Sequence, residues 1–403
     1  MKVLLVGSGG REHALAWKLS RAPDLEELHS APGNPGIAAL GRCHPVRAED
    51  GEGLLGLARS LDIDLVVVGP EVPLVAGVAD ELRHAGVAVL GPSAGAARIE
   101  GSKSFAKDVM RTAGVGTAET LSIARPPCVI KADGLAAGKG VFVCHDQEEL
   151  DEALHAARAF GDAIVIEELL EGEEVSVFAL CDGAQALALP AVQDFKRAEE
   201  GDAGPNTGGM GSYSPVPGFG STEIDGLLDA IHRPVLDELA QRGVPFVGVL
   251  FAGLMLTADG PRVLEFNCRF GDPETQSLVP RLEGDLLGAL AATARGDLSH
   301  VDIGVADRAA VTVVLASGDY PARGDIGSPI DGIDDAEAEG ALVFHAGTAL
   351  KGDELITNGG RILNVTATGD TISEAREHAY AACERISFQG MRYRRDIAAV
   401  THV

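Results

Sequence analysis

Aromatic side chains are scarce in this sequence, at 4% of 403 residues with a single tryptophan. That leaves little for the stacking platforms on which single-stranded nucleic acids are held. The six cysteines, at 43, 128, 144, 181, 268 and 383, form no C-x-x-C pair and no cluster with histidine. Neither a zinc site nor a disulfide framework is expected, and reduced thiols in the cytoplasm are the plain reading. No stretch approaches the roughly 20 apolar residues that span a bilayer, and the apolar run in MKVLLVGSGG is too short for a signal peptide. Basic residues are also few: 33 Lys and Arg against 60 Asp and Glu give a formal charge of −27. Such a surface repels nucleic-acid phosphates and anionic membranes. A soluble cytoplasmic protein without nucleic-acid or membrane partners is expected, and any nucleotide site in it has to be locally basic.

Glycine, by contrast, is abundant: 51 residues, mostly in short clusters. Clusters of this kind suit tight turns and close approach of backbone to ligand. The length predicts two to four domains. Residues 2–6, a segment ending near Ser30, 64–68 and 87–90 read as short apolar strands alternating with helices. That pattern predicts an α/β domain with a doubly wound parallel sheet over 1–101. A second region, 102–300, contains a small α+β lobe over about 121–190, built from strands near 129–131, 141–144, 164–168, 174–181 and 185–190. A long loop over 194–220 follows, then strong strands at 246–257 and 262–268. The tail, 301–403, predicts a third, smaller α+β unit.

The first glycine cluster resembles a dinucleotide fingerprint but departs from it. Glu12 stands where the third glycine belongs, and the second strand runs into Ala31-Pro32-Gly33-Asn34-Pro35-Gly36 without a ribose-binding carboxylate. A nicotinamide-dependent oxidoreductase is thereby disfavoured. The amides of Gly9 and Gly10 at a helix N-terminus, with Arg11 beside them, still predict an anion pocket. In 129–141 a lysine at a strand end, Lys131, precedes a flexible loop carrying Gly138 and Lys139, which suits a flap over a triphosphate. Residues 164–175 read as a hinge on which adenine lies, with Glu167, Glu168 and Leu170 in the connector and Glu174 near the ribose. Asp194, Lys196 and Arg197 open a glycine-rich loop too long to be idle.

The densest segment is Glu265-Phe266-Asn267-Cys268-Arg269-Phe270-Gly271-Asp272-Pro273-Glu274. Strand alternation puts Glu265 and Asn267 on one face and Phe266 and Cys268 in the core. Two hard oxygen ligands, completed by phosphate and water, are what Mg²⁺ prefers. Arg269 follows on the same face, able to hold a carboxylate or an acyl phosphate.

Together with GSGGREHA (7–14), APGNPG (31–36), GPEVPLV (69–75), GPSAGAARIEGSK (91–103), IKADGLAAGKGV (130–141), GPNTGGMG (204–211), HAGT (345–348) and TNGGR (357–361), the RFGDPE at 269–274 resembles the glycinamide ribonucleotide synthetase (phosphoribosylamine–glycine ligase) family of ATP-grasp enzymes. The motifs stand in the family's order over nearly the whole chain. The resemblance implies an N-terminal substrate domain, a two-lobed ATP-grasp body and a small C-terminal domain. It implies that Lys103, Lys131, the 134–140 loop, Glu167–Leu170 and Glu174 serve ATP, and that Glu265 and Asn267 hold Mg²⁺, with Mn²⁺ as an alternative. Glycine and 5-phosphoribosylamine are the implied substrates, with Asp194 and Asp272 offered to the glycine ammonium. Gly9–Arg11 and Glu71 are offered to the phosphoribosyl part. A monomer or weak dimer is expected. The family often has histidine where this chain has Phe195, and the segments 120–129 and 160–164 are short for it. Another carboxylate–amine ligase or an ATP-grasp carboxylase would share the same body, and a nucleotide-sensing module would not need Glu265, Asn267 and Arg269 together.

Overall fold

A computed structural model describes residues 1–136 and 139–399. The first five strands, Lys2–Gly7, Glu27–Pro32, Arg42–Cys43, Leu65–Val68 and Val89–Leu90, form one parallel sheet with Lys2–Gly7 in the middle. Its strands alternate between two cores: Leu4 and Val6 pack to one side, Val3 and Leu5 to the other. That two-sided burial is why the strands are uninterruptedly apolar. Arg42–Cys43, only two residues long, carries no periodicity from which it could be read.

The flap lobe is smaller than expected. Among the described residues its sheet contains Cys128–Ala132, Val141–Cys144 and Ile164–Glu168, covered by the helix Gln147–Ala157. Glu173–Asp182 and Ala186–Asp194, expected within the lobe, instead belong to an eight-stranded sheet. Residues 175–182 are all buried. A strand of that kind needs neighbours on both edges and cover on both faces, which the three-stranded lobe does not supply. Val247–Thr257 and Ala186–Asp194 flank it, and Phe178 meets Phe251 at 4.6 Å between ring centres.

The 194–220 stretch is also more ordered than its lack of periodicity predicts. A two-stranded ribbon, Arg197–Glu199 with Ala203–Asn206, leads to a strand, Gly211–Ser214. Gly211–Ser214 pairs with Ala186–Asp194 on one edge and with Ala309–Ala316 on the other. Through it the large sheet runs on from the body into the tail, where Arg361–Gly369 and Leu342–His345 complete it. No helix among the described residues is long and apolar enough to cross a membrane.

Candidate functional site

The site lies where Gly260–Asn267, the large sheet and the flap lobe converge. Strand alternation holds through its end: Phe266 and Cys268 are buried, whereas Glu265 keeps 38% of its side chain exposed. Three lysines surround Glu265. Lys196 Nζ stands 3.9 Å from its carboxylate, and Lys131 Nζ donates to the adjacent Leu264 carbonyl at 2.9 Å. Lys103 begins the helix Lys103–Ala113, which Ser102 starts by accepting from the Phe105 amide and Gly114 ends with φ at 72°. The Lys103 ammonium donates to the Gly134 carbonyl at 3.0 Å, at the mouth of the glycine-rich loop. Burial raises the Glu265 pKa, but Lys196, Lys131, Lys103 and Arg269 outweigh it and hold the group below its usual value.

Opposite these cations stands a carboxylate cluster. Burial pushes Asp194 well above the ordinary carboxylate range, and Glu274, Glu174 and Glu265 push it further, with Lys196 opposing. Glu274 is raised for the same principal reason. Glu174 accepts from Lys196 at 2.6 Å, so in this arrangement it neutralises the lysine rather than facing the cleft alone. Around Asp194 the side chains of Glu274, Glu174, Glu265 and Lys196 are gathered, a setting that suits a substrate ammonium. No cluster of three or more His, Cys, Asp or Glu side chains at metal-binding spacing exists among the described residues. A carboxylate and a carboxamide one strand period apart fit a hard cation that keeps most of its ligands from phosphate and water.

Beside this cleft lies a junction of the N-terminal sheet, the 269–274 segment and the tail. The Arg269 fork donates to Glu71 at 3.2 Å and to Glu100 at 2.8 Å, with only 15% of its side chain exposed. Burial lowers the Arg269 pKa, but Glu100 and Glu71 more than offset it and raise the group. Burial raises Glu71, but Arg269 and Arg11 bring it down to about 2. Arg269 was expected to face a ligand; here its fork also joins the N-terminal domain to the signature segment.

The predicted anion pocket is filled from within the protein. The Gly9 amide donates to Glu12 at 2.6 Å, and the Arg11 amide faces Asp272 at 3.4 Å. Arg11 is buried, donating to Glu12 at 2.5 Å and to the Phe270 carbonyl at 3.1 Å. The helix N-terminus attracts carboxylates as readily as phosphate, and the chain supplies two. Asp272 does not join Asp194. Gln276 donates to it at 2.9 Å, and Arg361 stands 3.4 Å away. Burial raises Asp272, but Arg361, Arg11 and the hydrogen bonds hold it low. Glu274, two residues on, occupies the place by Asp194 that the sequence reading offered to Asp272.

Other expected residues have defined partners. Glu167 is 2% exposed, with Lys107 on one oxygen at 2.8 Å and Lys131 on the other at 2.7 Å. Both oxygens of its carboxylate are thus taken by ammonium groups of the protein, and Glu168 accepts from the Glu119 amide at 2.8 Å. Leu170 is half-buried in the connector. Lys139 donates to the Pro321 carbonyl at 3.0 Å, tying the loop's end to the tail. Gly138 lies outside the described residues. Phe195 packs on Tyr213, with the Arg394 guanidinium 5.1 Å above its ring.

Sequence reasoning did not assign Glu100 or Lys107 to the site, gave Glu274 no role of its own, and knew Arg361 only as the end of TNGGR. Arg361 donates to the carbonyls of Gly208 and Asp272, at 2.5 and 2.6 Å, and so joins TNGGR, GPNTGGMG and RFGDPE in one knot. A side chain at Gly208 would meet the Arg361 guanidinium at 3.1 Å, which accounts for one glycine of the pair.

Models of the N, ATP-grasp (A) and C domains of phosphoribosylglycinamide synthetase match residues 1–100, 101–275 and 310–400. A phosphoribosylamine–glycine ligase of Streptomyces coelicolor is 50% identical, over 99% of both chains. That of Caldanaerobacter subterraneus is 45% identical, over 99% of this chain and all of its relative. The crystal structure of the Thermotoga maritima phosphoribosylamine–glycine ligase superposes with a TM-score of 0.85 at 35% identity, covering 98% of this chain and 100% of that one. The biotin carboxylase domain of the Hydrogenobacter thermophilus 2-oxoglutarate carboxylase shares the fold alone, at TM-score 0.70 and 17% identity.

Proposed function

Because the chain belongs to the phosphoribosylamine–glycine ligase family of ATP-grasp ligases, we propose that it joins glycine to 5-phosphoribosylamine through glycyl phosphate, giving glycinamide ribonucleotide, ADP and phosphate. The observation that carries the reading is Glu265, with Lys103, Lys131 and Lys196 around it and Asp194 on the same sheet. That ring supplies local positive charge in a chain of net charge −27.

A carboxylate resists attack by an amine because it is already negative. In the proposed route a glycine carboxylate oxygen attacks the γ-phosphorus and ADP leaves. The amine nitrogen of phosphoribosylamine then attacks the acyl carbon, phosphate departs and the amine loses a proton. Lys131 and Lys103 draw the triphosphate into place, and Asp194 with Glu274 receives the glycine ammonium. Glu265 and Asn267 would hold a divalent cation, which when bound offsets charge on the transferring phosphoryl group. No enzyme nucleophile is needed. Positioning contributes through effective molarity, worth roughly 7–11 kcal/mol in favourable cases. Exclusion of water by the 134–140 loop protects the acyl phosphate from hydrolysis.

The test is ADP formation with each of glycine and phosphoribosylamine omitted in turn. The reading expects little ADP unless both are present with ATP and a divalent metal. Equal ADP formation without phosphoribosylamine, or with an unrelated acid replacing glycine, would refute it.

A further inference from the structure

The flap lobe is joined to the body by two crossings of the chain, about 115–121 and 167–173, and one side chain from the body reaches both. Lys107 lies one helical turn after Lys103, on the same face of Lys103–Ala113. Its ammonium donates to Thr117 Oγ1 at 3.0 Å and to the Ala118 carbonyl at 2.5 Å, on the first crossing. It pairs with Glu167 Oε1 at 2.8 Å, at the start of the second. The crossings are themselves zipped together: the Leu121 amide donates to the Ile166 carbonyl at 2.8 Å, and the Glu168 amide to the Glu119 carbonyl at 3.0 Å. Thr117 Oγ1 passes the connection on to the Val263 carbonyl at 2.7 Å, two residues before Glu265. A pocket of about 540 Å³ lies alongside, lined by Lys107, Val115, Gly116, Thr117 and Arg262 among others.

The electrostatics give this pin a second consequence. Glu167 divides its two oxygens between Lys107 and Lys131, with Lys131 Nζ at 2.7 Å. The trio carries a net positive charge, and that surplus leaves Lys131 free to serve an anion. Without Lys107 the buried carboxylate would have one cation left, and Lys131 would be neutralised by it. An orphaned buried carboxylate oxygen is costly and draws its remaining partner closer.

We propose that Lys107 is a positioning residue for the nucleotide. It pins both interlobe crossings to the body, and by satisfying Glu167 it keeps the Lys131 ammonium available to the ATP phosphates. The inference rests on the ATP site described above, and its test separates the two. ATP binding is titrated calorimetrically on the full chain for wild type, Lys107→Met and Lys107→Arg, alongside KM for ATP and for glycine. The expected result is a tenfold or greater weakening of ATP by Lys107→Met, with KM for glycine within twofold of wild type. Lys107→Arg, which keeps the charge, should recover most of the loss. Glu167→Gln should cost less in the Lys107→Met background than alone, because the two act as one unit. Thr117→Val, which removes the hydroxyl's bonds with Lys107 and Val263 but no charge, should fold and weaken ATP severalfold, so the proposal stays testable if Lys107→Met does not fold. Unchanged ATP affinity in folded Lys107→Met, or equal losses for ATP and glycine, would overturn the proposal. Absence of ATP binding by wild type would instead overturn the ATP site on which it rests.

Discussion

Two clusters of charge lie within ten residues of each other along 265–274 and are built on opposite principles. At the junction, every strong charge has its counterpart in the protein: Arg269 with Glu71 and Glu100, Arg11 with Glu12, Asp272 with Arg361. In the cleft, charges of both signs stand in imbalance, with Asp194 and Glu274 pushed up by burial and acidic neighbours while Glu265 is held low by four cations. Pairing of the first kind assembles the chain, because a buried ion pair is costly to break and contributes little while intact. Imbalance of the second kind is resolved by something outside the chain. The junction thus answers to stability measurements and the cleft to ligand measurements.

The comparison breaks most visibly at Arg269. Arg269→Met leaves two buried glutamates without their cation, a change that costs about 3–5 kcal/mol when one partner of a buried pair is removed. Thermal or denaturant unfolding should register that loss before any assay of turnover. A variant of wild-type stability with impaired activity would move Arg269 from the junction to the cleft. Glu265→Gln should do the reverse. Its fold and melting temperature should stay near wild type, while turnover falls roughly 10²–10³-fold, the scale of removing one group that stabilises transition-state charge. Titration of the metal measures it; near-normal rates at limiting Mg²⁺ would remove Glu265 from the metal site.

Glu71 sharpens the contrast through pH. Its folded pKa, about 2, lies below the unfolded value of 4.5. A depressed carboxylate stabilises the fold above its unfolded pKa, and the contribution drains away as pH falls through the folded one. The shift corresponds to about 3 kcal/mol, lost between roughly pH 4.5 and 2. Glu71→Gln should therefore flatten the acid limb of a stability–pH curve in that window and change little at pH 7 in its shape. An unaltered acid limb would mean that Arg269 is held by Glu100 alone.

How much of this was legible in the sequence follows from the range over which each feature is decided. Strand alternation is local, so Glu265 outward and Phe266 and Cys268 inward could be read from three residues. The parallel sheet was legible for the same reason, since each short strand is apolar on both faces. The partners of Arg269 were not, because Glu71 and Glu100 lie 198 and 169 residues away. Glu274 and Asp272 were confused because the turn after Asn267 ends the alternation. Lys107 reads as one more lysine on an amphipathic helix until the crossings beside it are known. Glu173–Asp182 was assigned to the wrong sheet because periodicity identifies a strand but not its neighbours.

The smallest effect is expected at Phe195, where the family resemblance leads us to expect histidine. Its backbone already serves the 204–211 loop, with its amide donating to the Gly211 carbonyl and its carbonyl accepting from the Met210 amide. Its ring lies under Arg394 and beside Tyr213, on the tail's side of the loop. Phe195→His keeps both backbone bonds but gives up a cation–ring contact worth about 0.5–1 kcal/mol at exposed sites. Stability should fall by about that much, with turnover and KM for both substrates unchanged. A gain in turnover would show that an imidazole at this position reaches the reacting groups, and the border between the paired junction and the unbalanced cleft would then pass on the far side of Phe195.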